Sequence, residues 1–334
     1  MSAALIWEWI LKSLILILFL TLAFAYTTFY ERKLLARIQA RVGPNRVGPK
    51  GLFQPIADAV KAFFKEELEP AGSEKLIFVL APVITVVPAL IVLAVVPWGT
   101  SVTIGGREIA LSLTDVNVGV LYITAVTSIS VYGITLAGWS SNNKYSLLGG
   151  VRSAAQMISY ELALGLSFIG PVIIAGSLSI FEIVKAQSNV WFIFLQPVAF
   201  IIYFISSLAE INRAPFDLPE AEPELTGGYL TEYSGMKFAL FYMSEYIKMI
   251  TVSVIGASLF LGGFRGPGVD LYPWLGPIYL LIKVFLWLFV IIWIRGTLPR
   301  IRYDRLMALG WKVLFPVALL NVIVTAGVVV LVGG

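Results

Sequence analysis

The residues most able to do chemistry lie in one stretch, Glu210-Ile-Asn-Arg213-Ala-Pro-Phe216-Asp217-Leu-Pro-Glu220-Ala-Glu222-Pro-Glu224, which continues to Glu232-Tyr233. Long apolar segments flank it on both sides. Carboxylates are costly at a membrane boundary, so a cluster there points to protons, cations or a polar head group brought to the bilayer edge. Glu220, Glu222 and Glu224 alternate with Pro219 and Pro223 among them, which denies a regular helix. Like charges this close couple their titrations. Flanking Phe216, Leu218 and Leu225 argue against a fully solvated loop. Other ionisable groups sit within apolar runs: Glu161 after Ser159-Tyr160, Glu245 before Tyr246, Lys248 one turn later, and Lys283. At such depths they must pair or line a hydrated path, and hydrated-path duty is favoured for Glu161 and Glu245. Glu245 and Lys248, at i and i+3, share a helix face, so local pairing and proton handling both stay open for Lys248.

The elements that must position these groups are spanning helices. The chain has 334 residues, 58% of them hydrophobic and 13% charged, a balance foreign to soluble domains. Apolar runs predict eight spans, at about 9–30, 76–97, 116–139, 154–176, 190–210, 237–262, 274–295 and 311–332. The first is too long for a signal-peptide core and has no basic leader, so it reads as a true span. Lys and Arg concentrate after the first, third and seventh spans, notably Arg32 to Lys75 and Arg295 to Lys312. The positive-inside rule then places the odd-span exits, including the acidic loop at about 211–236, in the cytoplasm, with both termini outside. This pattern fits an integral membrane chain, with 1–334 forming a single membrane domain; a prokaryotic plasma (inner) membrane is the expected location.

After the first span, Gly43-Pro44-Asn45-Arg46-Val47-Gly48-Pro49 forbids helix and favours a stiff turn. Leu52, Ile56, Val60 and Phe63 then recur at helical spacing, with Asp58, Lys61 and Lys65 between them. This predicts an amphipathic interfacial helix within about 43–72. Cys and His are both absent. That removes the usual ligands of haem and iron–sulfur clusters, so metal centres for any electron transfer would belong to partners. Basic residues flank spans rather than forming a basic domain, which excludes nucleic acid as a partner. Glu31-Arg32 ends the first span, either as a boundary pair or facing a polar ligand entering from lipid.

These motifs together carry a resemblance. Glu31-Arg32-Lys33, Ala40-Arg41-Val-Gly43 through Pro49, Gly51 through Asp58, Lys144-Tyr145 through Gly149, Ile158-Ser-Tyr160-Glu161, Asn212-Arg213 through Glu220, Glu232-Tyr233-Ser-Gly and Arg302-Tyr303-Asp304 run in order over nearly the whole chain. The sequence resembles the H-subunit family of proton-pumping NADH–quinone oxidoreductase, respiratory complex I, whose mitochondrial counterpart is NADH dehydrogenase subunit 1. The resemblance implies an all-α polytopic membrane protein of eight helices, with helices two to six related to antiporter-like subunits. It implies a translocase component that holds no redox centre, takes quinone as substrate and leaves FMN and iron–sulfur clusters to partner subunits. Its partners would be peripheral-arm iron–sulfur and quinone-site subunits, small membrane subunits, antiporter-like subunits and lipid.

Carried over by motif, Arg32, Arg41, Asp58, Arg213 and Phe216 would wall the quinone chamber. Asp217, Glu220, Glu222, Glu224 and Glu232 would form the acidic loop beside it. Tyr160, Glu161, Glu210, Glu245 and Lys283 would form the charged path into the membrane. Two departures stand out: Pro223 between loop acids, and Thr127-Ser128-Ile129-Ser130 where some relatives carry a third-span acid. The membrane subunit of an energy-converting hydrogenase shares the helices, but the complete Gly-Pro segment and long acidic loop favour the quinone enzyme. A stand-alone transporter would require midspan helix breaks, and the sixth and seventh spans read as continuous. A purely structural anchor leaves the intramembrane acids unexplained.

Overall fold

The computed structural model describes residues 3–104, 107–217 and 225–333. The chain is an all-α polytopic membrane protein with one short hairpin. Among the described residues, the helices in order are α1 (Ala3–Ile38), α2 (Gln54–Phe64), α3 (Lys75–Ile91), α4 (Gly119–Ser140), α5 (Lys144–Ala175), α6 (Ile180–Ala186), α7 (Phe192–Leu195), α8 (Pro197–Glu210), α9 (Gly235–Phe260), α10 (Leu275–Thr297), α11 (Tyr303–Ala308) and α12 (Phe315–Gly333). Strands β1 (Ser101–Ile104) and β2 (Arg107–Ala110) pair antiparallel between α3 and α4. Among the described residues, seven helical segments are long and apolar enough to cross a membrane.

Seven of the eight expected spans are therefore met at full length, and the fifth differs. The run read as 190–210 is split into α7 and the 14-residue α8. The break falls at Gln196 (φ −130°, ψ 53°), just before Pro197. Proline has no N–H and disfavours helix in the residue before it. The Gln196 side chain secures the break, donating to Thr325 Oγ1 at 2.8 Å and accepting from Asn321 Nδ2 at 3.1 Å, both on α12. Broken backbone is tolerated at membrane depth where polar side chains re-satisfy it.

Close helix approach is built on small residues. A Cβ on Gly133 of α4 would lie 2.1 Å from Thr85 Oγ1 and 2.9 Å from the Ala81 carbonyl of α3. One on Gly138 would lie 2.7 Å from the Ser146 carbonyl of α5. Packing at this range is the main source of helix association where lipid removes any hydrophobic drive. The outer faces are apolar instead of polar: Trp7, Leu11, Leu14 and Leu18 of α1 are exposed, as lipid contact requires. The expected amphipathic helix is α2, and its stripe of Ile56, Val60 and Phe63 faces outward. The last span begins further back than expected, with α11 running through a π-helical stretch, Leu309–Leu314, into α12. Gly310 there lies against the ring of Tyr160.

Loops gather at two ends. At one, the Glu74 amide donates to the Ser140 carbonyl (3.2 Å) and the Ile301 amide to the Pro215 carbonyl (3.0 Å). At the other, Ser179 Oγ donates to Asp115 (2.9 Å) and the Gly262 amide donates to Gln187 Oε1 (2.9 Å). The acidic segment joins α8 to α9 at the first end.

Candidate functional site: a buried charge network leading to an intramembrane cavity

Arg213 follows α8 by three residues and is buried. Its Nη1 donates to Glu31 of α1, 3.0 Å from Oε1 and 3.2 Å from Oε2. Its Nε pairs with Glu245 of α9. The guanidinium lies over the Tyr246 ring, 4.4 Å from the centroid. Arg295, in the last turn of α10, pairs with the same Glu31. Two guanidinium groups thus face two carboxylates, and four chain segments are joined by them. A buried charge is tolerable only when paired in this way.

The local fold fixes Arg213 from below. Gln156 of α5 is fully buried, and its Nε2 lies 2.8 Å from the Ala209 carbonyl, 2.7 Å from the Phe216 carbonyl and 3.2 Å from Asn212 Oδ1. Asn212, at φ 57°, donates in turn to Ser153 Oγ at 3.0 Å. Side-chain amides therefore replace the backbone bonds that the chain gives up on leaving α8. Phe216 is buried with its ring 5.7 Å from that of Tyr160.

A second polar group lies deeper. Glu210 ends α8, and Lys248 sits one turn beyond Glu245 on α9; both are buried. They line a cavity of about 20 Å³ together with Thr127, Ser130, Tyr203 and Thr251. That is enough for one water with several polar partners. Glu161 of α5 is bonded by the Ser128 hydroxyl of α4. α4 thus supplies hydroxyls, to Glu161 from Ser128 and to the cavity from Thr127 and Ser130. The ion-pair partner of Glu245 is Arg213 rather than Lys248. α9 therefore presents Glu245 to the boundary network and Lys248 to the cavity, about 4.5 Å apart along its axis.

The other expected residues are distributed as follows. Arg32 and Asp58 form an ion pair at 2.6 Å, with Gln54 Nε2 3.0 Å from Asp58 Oδ1. This pair ties α2 to the end of α1 but is open to the surroundings. Arg41 is exposed and donates to Gln39 at 2.7 Å. Asp217 pairs with Arg300 at 3.1 Å. Glu232 accepts from Asn143 Nδ2 at 2.6 Å. Glu220, Glu222 and Glu224 lie outside the described residues. The Tyr160 hydroxyl donates to the Leu306 carbonyl at 2.9 Å, holding α5 against α11. Lys283 donates to the carbonyls of Gly263 (2.8 Å) and Arg265 (2.7 Å) and lies 5.0 Å from the Trp191 ring centroid. Those partners follow the end of α9, some 18 Å along that helix from Lys248. Glu161, Glu210 and Glu245 thus gather near one another, whereas Lys283 is held at the opposite end. Sequence reasoning missed Gln156 and the role of Arg295, and left the role of Glu31 open.

The exit of the acidic segment is strapped down. Ser234 Oγ accepts from the Leu68 amide and donates to the Glu66 carbonyl, both at 3.0 Å. Lys237 of α9 meets Glu69 at 2.5 Å and Glu67 at 3.5 Å. Tyr233 stacks on Phe78 with ring centroids 4.1 Å apart, and burial pushes its hydroxyl pKa up to about 12. The Lys237 hydrogen bond and charge hold the Glu69 carboxyl below its ordinary value of 4.5. A depressed folded-state pKa means that this contribution is complete above the unfolded value and is lost as pH falls through the folded one. The Lys237–Glu69 pair therefore holds across neutral pH and weakens as pH falls through the carboxyl's folded-state value. Lys237→Met should open the strap at neutral pH, raising amide hydrogen exchange at 66–70 and 228–236 while leaving α5 protected. Unchanged exchange would show that the strap is not what holds this segment.

The family model described as NADH dehydrogenase matches residues 11–326. The chain belongs to this family. Among the family's members, the NADH-quinone oxidoreductase H subunit of Protochlamydia amoebophila is 54% identical over 304 residues, covering 91% of this chain and 92% of that one. The second of the H subunits named for Geobacter sulfurreducens is 53% identical over 320 residues, covering 96% and 95%. The second of those named for Syntrophobacter fumaroxidans is 53% identical over 324 residues, covering 97% and 96%. Among the described residues of this NADH dehydrogenase family member, no group of three or more acids could hold a metal ion.

Proposed function

We propose that this chain is the membrane subunit that walls the quinone site of a proton-translocating NADH–quinone oxidoreductase and passes the effect of quinone reduction into the membrane. The observation that carries the reading is the arrangement on α9. Glu245 joins the Arg213–Glu31–Arg295 network at the boundary, and Lys248 one turn on shares a cavity with Glu210. The acidic segment 217–232 leaves directly from Arg213, so a charge change in the chamber acts on the network through short links. Arg32, Asp58, Arg41, Arg213 and Phe216 belong to the chamber wall in this reading. Glu220, Glu222 and Glu224 take up or release protons beside it, and Glu245, Glu210 and Glu161 relay the change inward. Moving a carboxyl pKa by one corresponds to about 1.4 kcal/mol, so several coupled acids can carry a useful part of the redox energy.

The chain itself supplies no Cys or His, so electrons reach quinone from iron–sulfur clusters and FMN in peripheral subunits. Small and antiporter-like membrane subunits extend the proton path. The enzyme sits in a prokaryotic plasma membrane, with the acidic segment on the cytoplasmic side and the termini outside. The test is the paired replacement Glu222→Gln with Glu224→Gln in the assembled complex. Coupled quinone reduction should fall by about tenfold, the equivalent of about 1.4 kcal/mol of added barrier, with assembly intact. Wild-type turnover and pumping in that variant would overturn the reading.

A further inference from the structure

The end of α1 and the Gly-Pro segment after it enclose a groove of about 540 Å³. Phe29 and Leu34 supply part of its apolar wall, and Lys33, Arg37, Arg41 and Lys50 stand on it. Among the described residues, no carboxylate lines the groove and none of the four cations is in an ion pair. Lys33 lies over the Phe29 ring at 5.7 Å, and the Arg41 Nε bond goes to a neutral amide. The contrast with the residue just before Lys33 is direct: Arg32 is neutralised by Asp58 at 2.6 Å. Among the described residues, the chain supplies an anion for one face of α1 and none for the other.

Depth and shape narrow the missing anion. The apolar run of α1 ends at Tyr30, and Lys33 and Arg37 follow within about 10 Å along the helix axis, the layer of lipid head groups. Tyr30 also lines a second apolar groove, of about 510 Å³, which runs along α1 between α9 and α10. A ligand for this place has a negative head and a long apolar tail. Basic pockets at the cytoplasmic ends of spans suit anionic lipid head groups, each Lys or Arg adding to the attraction. We propose that this groove is a binding site for an anionic phospholipid, with its phosphate among Lys33, Arg37 and Lys50 and an acyl chain passing Tyr30 along α1. Arg41 stands both on this groove and in the proposed chamber wall, but the lipid site itself rests on Lys33, Arg37 and Lys50 and not on the quinone reading.

The test uses the purified complex exchanged into nanodiscs of phosphatidylcholine with a minor share of phosphatidylglycerol. Phosphatidylglycerol retained after washing should exceed its share of the bilayer. In the triple variant Lys33→Gln, Arg37→Gln, Lys50→Gln it should bind roughly 10- to 100-fold more weakly. A variant retaining it as tightly, or a wild-type complex enriching phosphatidylcholine equally, overturns the proposal. Should the variant fail to assemble, photoactivatable phosphatidylglycerol added to the wild-type complex decides. Cross-links within residues 29–52 support the site; their absence, or capture of a neighbouring subunit by a cross-linker placed at Leu52, removes it.

Discussion

Replacing Arg213 with Met will leave little assembled, active complex. The substitution takes away the guanidinium that Glu31 and Glu245 both face at the membrane boundary. Breaking a buried pair by removing one partner costs about 3–5 kcal/mol, a sizeable part of any domain's net stability. Arg295 still answers Glu31, so the uncompensated charge is chiefly that of Glu245. Arg213→Lys should rescue only part of the loss. An ammonium cannot address two carboxylates with a fixed fork while lying flat on Tyr246. Adding Glu245→Gln to an Arg213→Gln background should recover assembly, because the stranded charge is then gone, but not coupled turnover. Subunit content on native gels, set beside NADH–quinone rates, separates these outcomes. Full assembly and full rate in Arg213→Met would mean that the network contributes nothing to either.

Glu210→Gln is expected to act differently: assembly persists and proton translocation fails. The exchange preserves shape, and the amide can still bond within the cavity lined by Tyr203, Thr251 and Lys248. It removes the one carboxylate among the described residues lining that cavity. Quinone reduction that obligatorily moves protons should slow by about tenfold or more, a barrier rise of about 1.4 kcal/mol or more. Lys248→Met makes the complementary case, removing the cation that shares the cavity with Glu210 in a site that admits about one water. It should therefore reduce both assembly and pumping. Proteoliposomes carrying each variant, assayed for pH-gradient formation and for quinone reduction, provide the check. A normal gradient in Glu210→Gln would remove that residue from the path.

Much of this organisation was legible in the sequence, for physical reasons that differ by element. Apolar runs of spanning length read directly as helices, and the 3.6-residue stripe of Ile56, Val60 and Phe63 revealed α2. The split at Gln196 was harder, because a proline at a helix start and a proline interrupting a span look alike until the amide contacts to Asn321 and Thr325 are known. Arg213, Glu210, Glu161 and Glu245 were legible because charge inside an apolar context is rare. Their pairing was not: Glu31 meets Arg213 and Arg295 across most of the chain, and no local spacing encodes that. Gln156 carries no charge and gave no signal, although it holds three acceptors around Arg213. Lys283 read like the other intramembrane ions. Its contacts with two loop carbonyls and Trp191 instead describe a clasp at the far end of the bundle.

The central claim is that the buried carboxylates around α9 change protonation when quinone is reduced. Infrared difference spectroscopy of the assembled complex, poised with quinone oxidised and then reduced, measures this directly through the carboxyl C=O stretch. The account predicts a carboxyl band in the wild type that is diminished in Glu210→Gln and shifted in Ser128→Ala, which removes the hydroxyl bonded to Glu161. Identical carboxyl difference spectra in the wild type and both variants would contradict it.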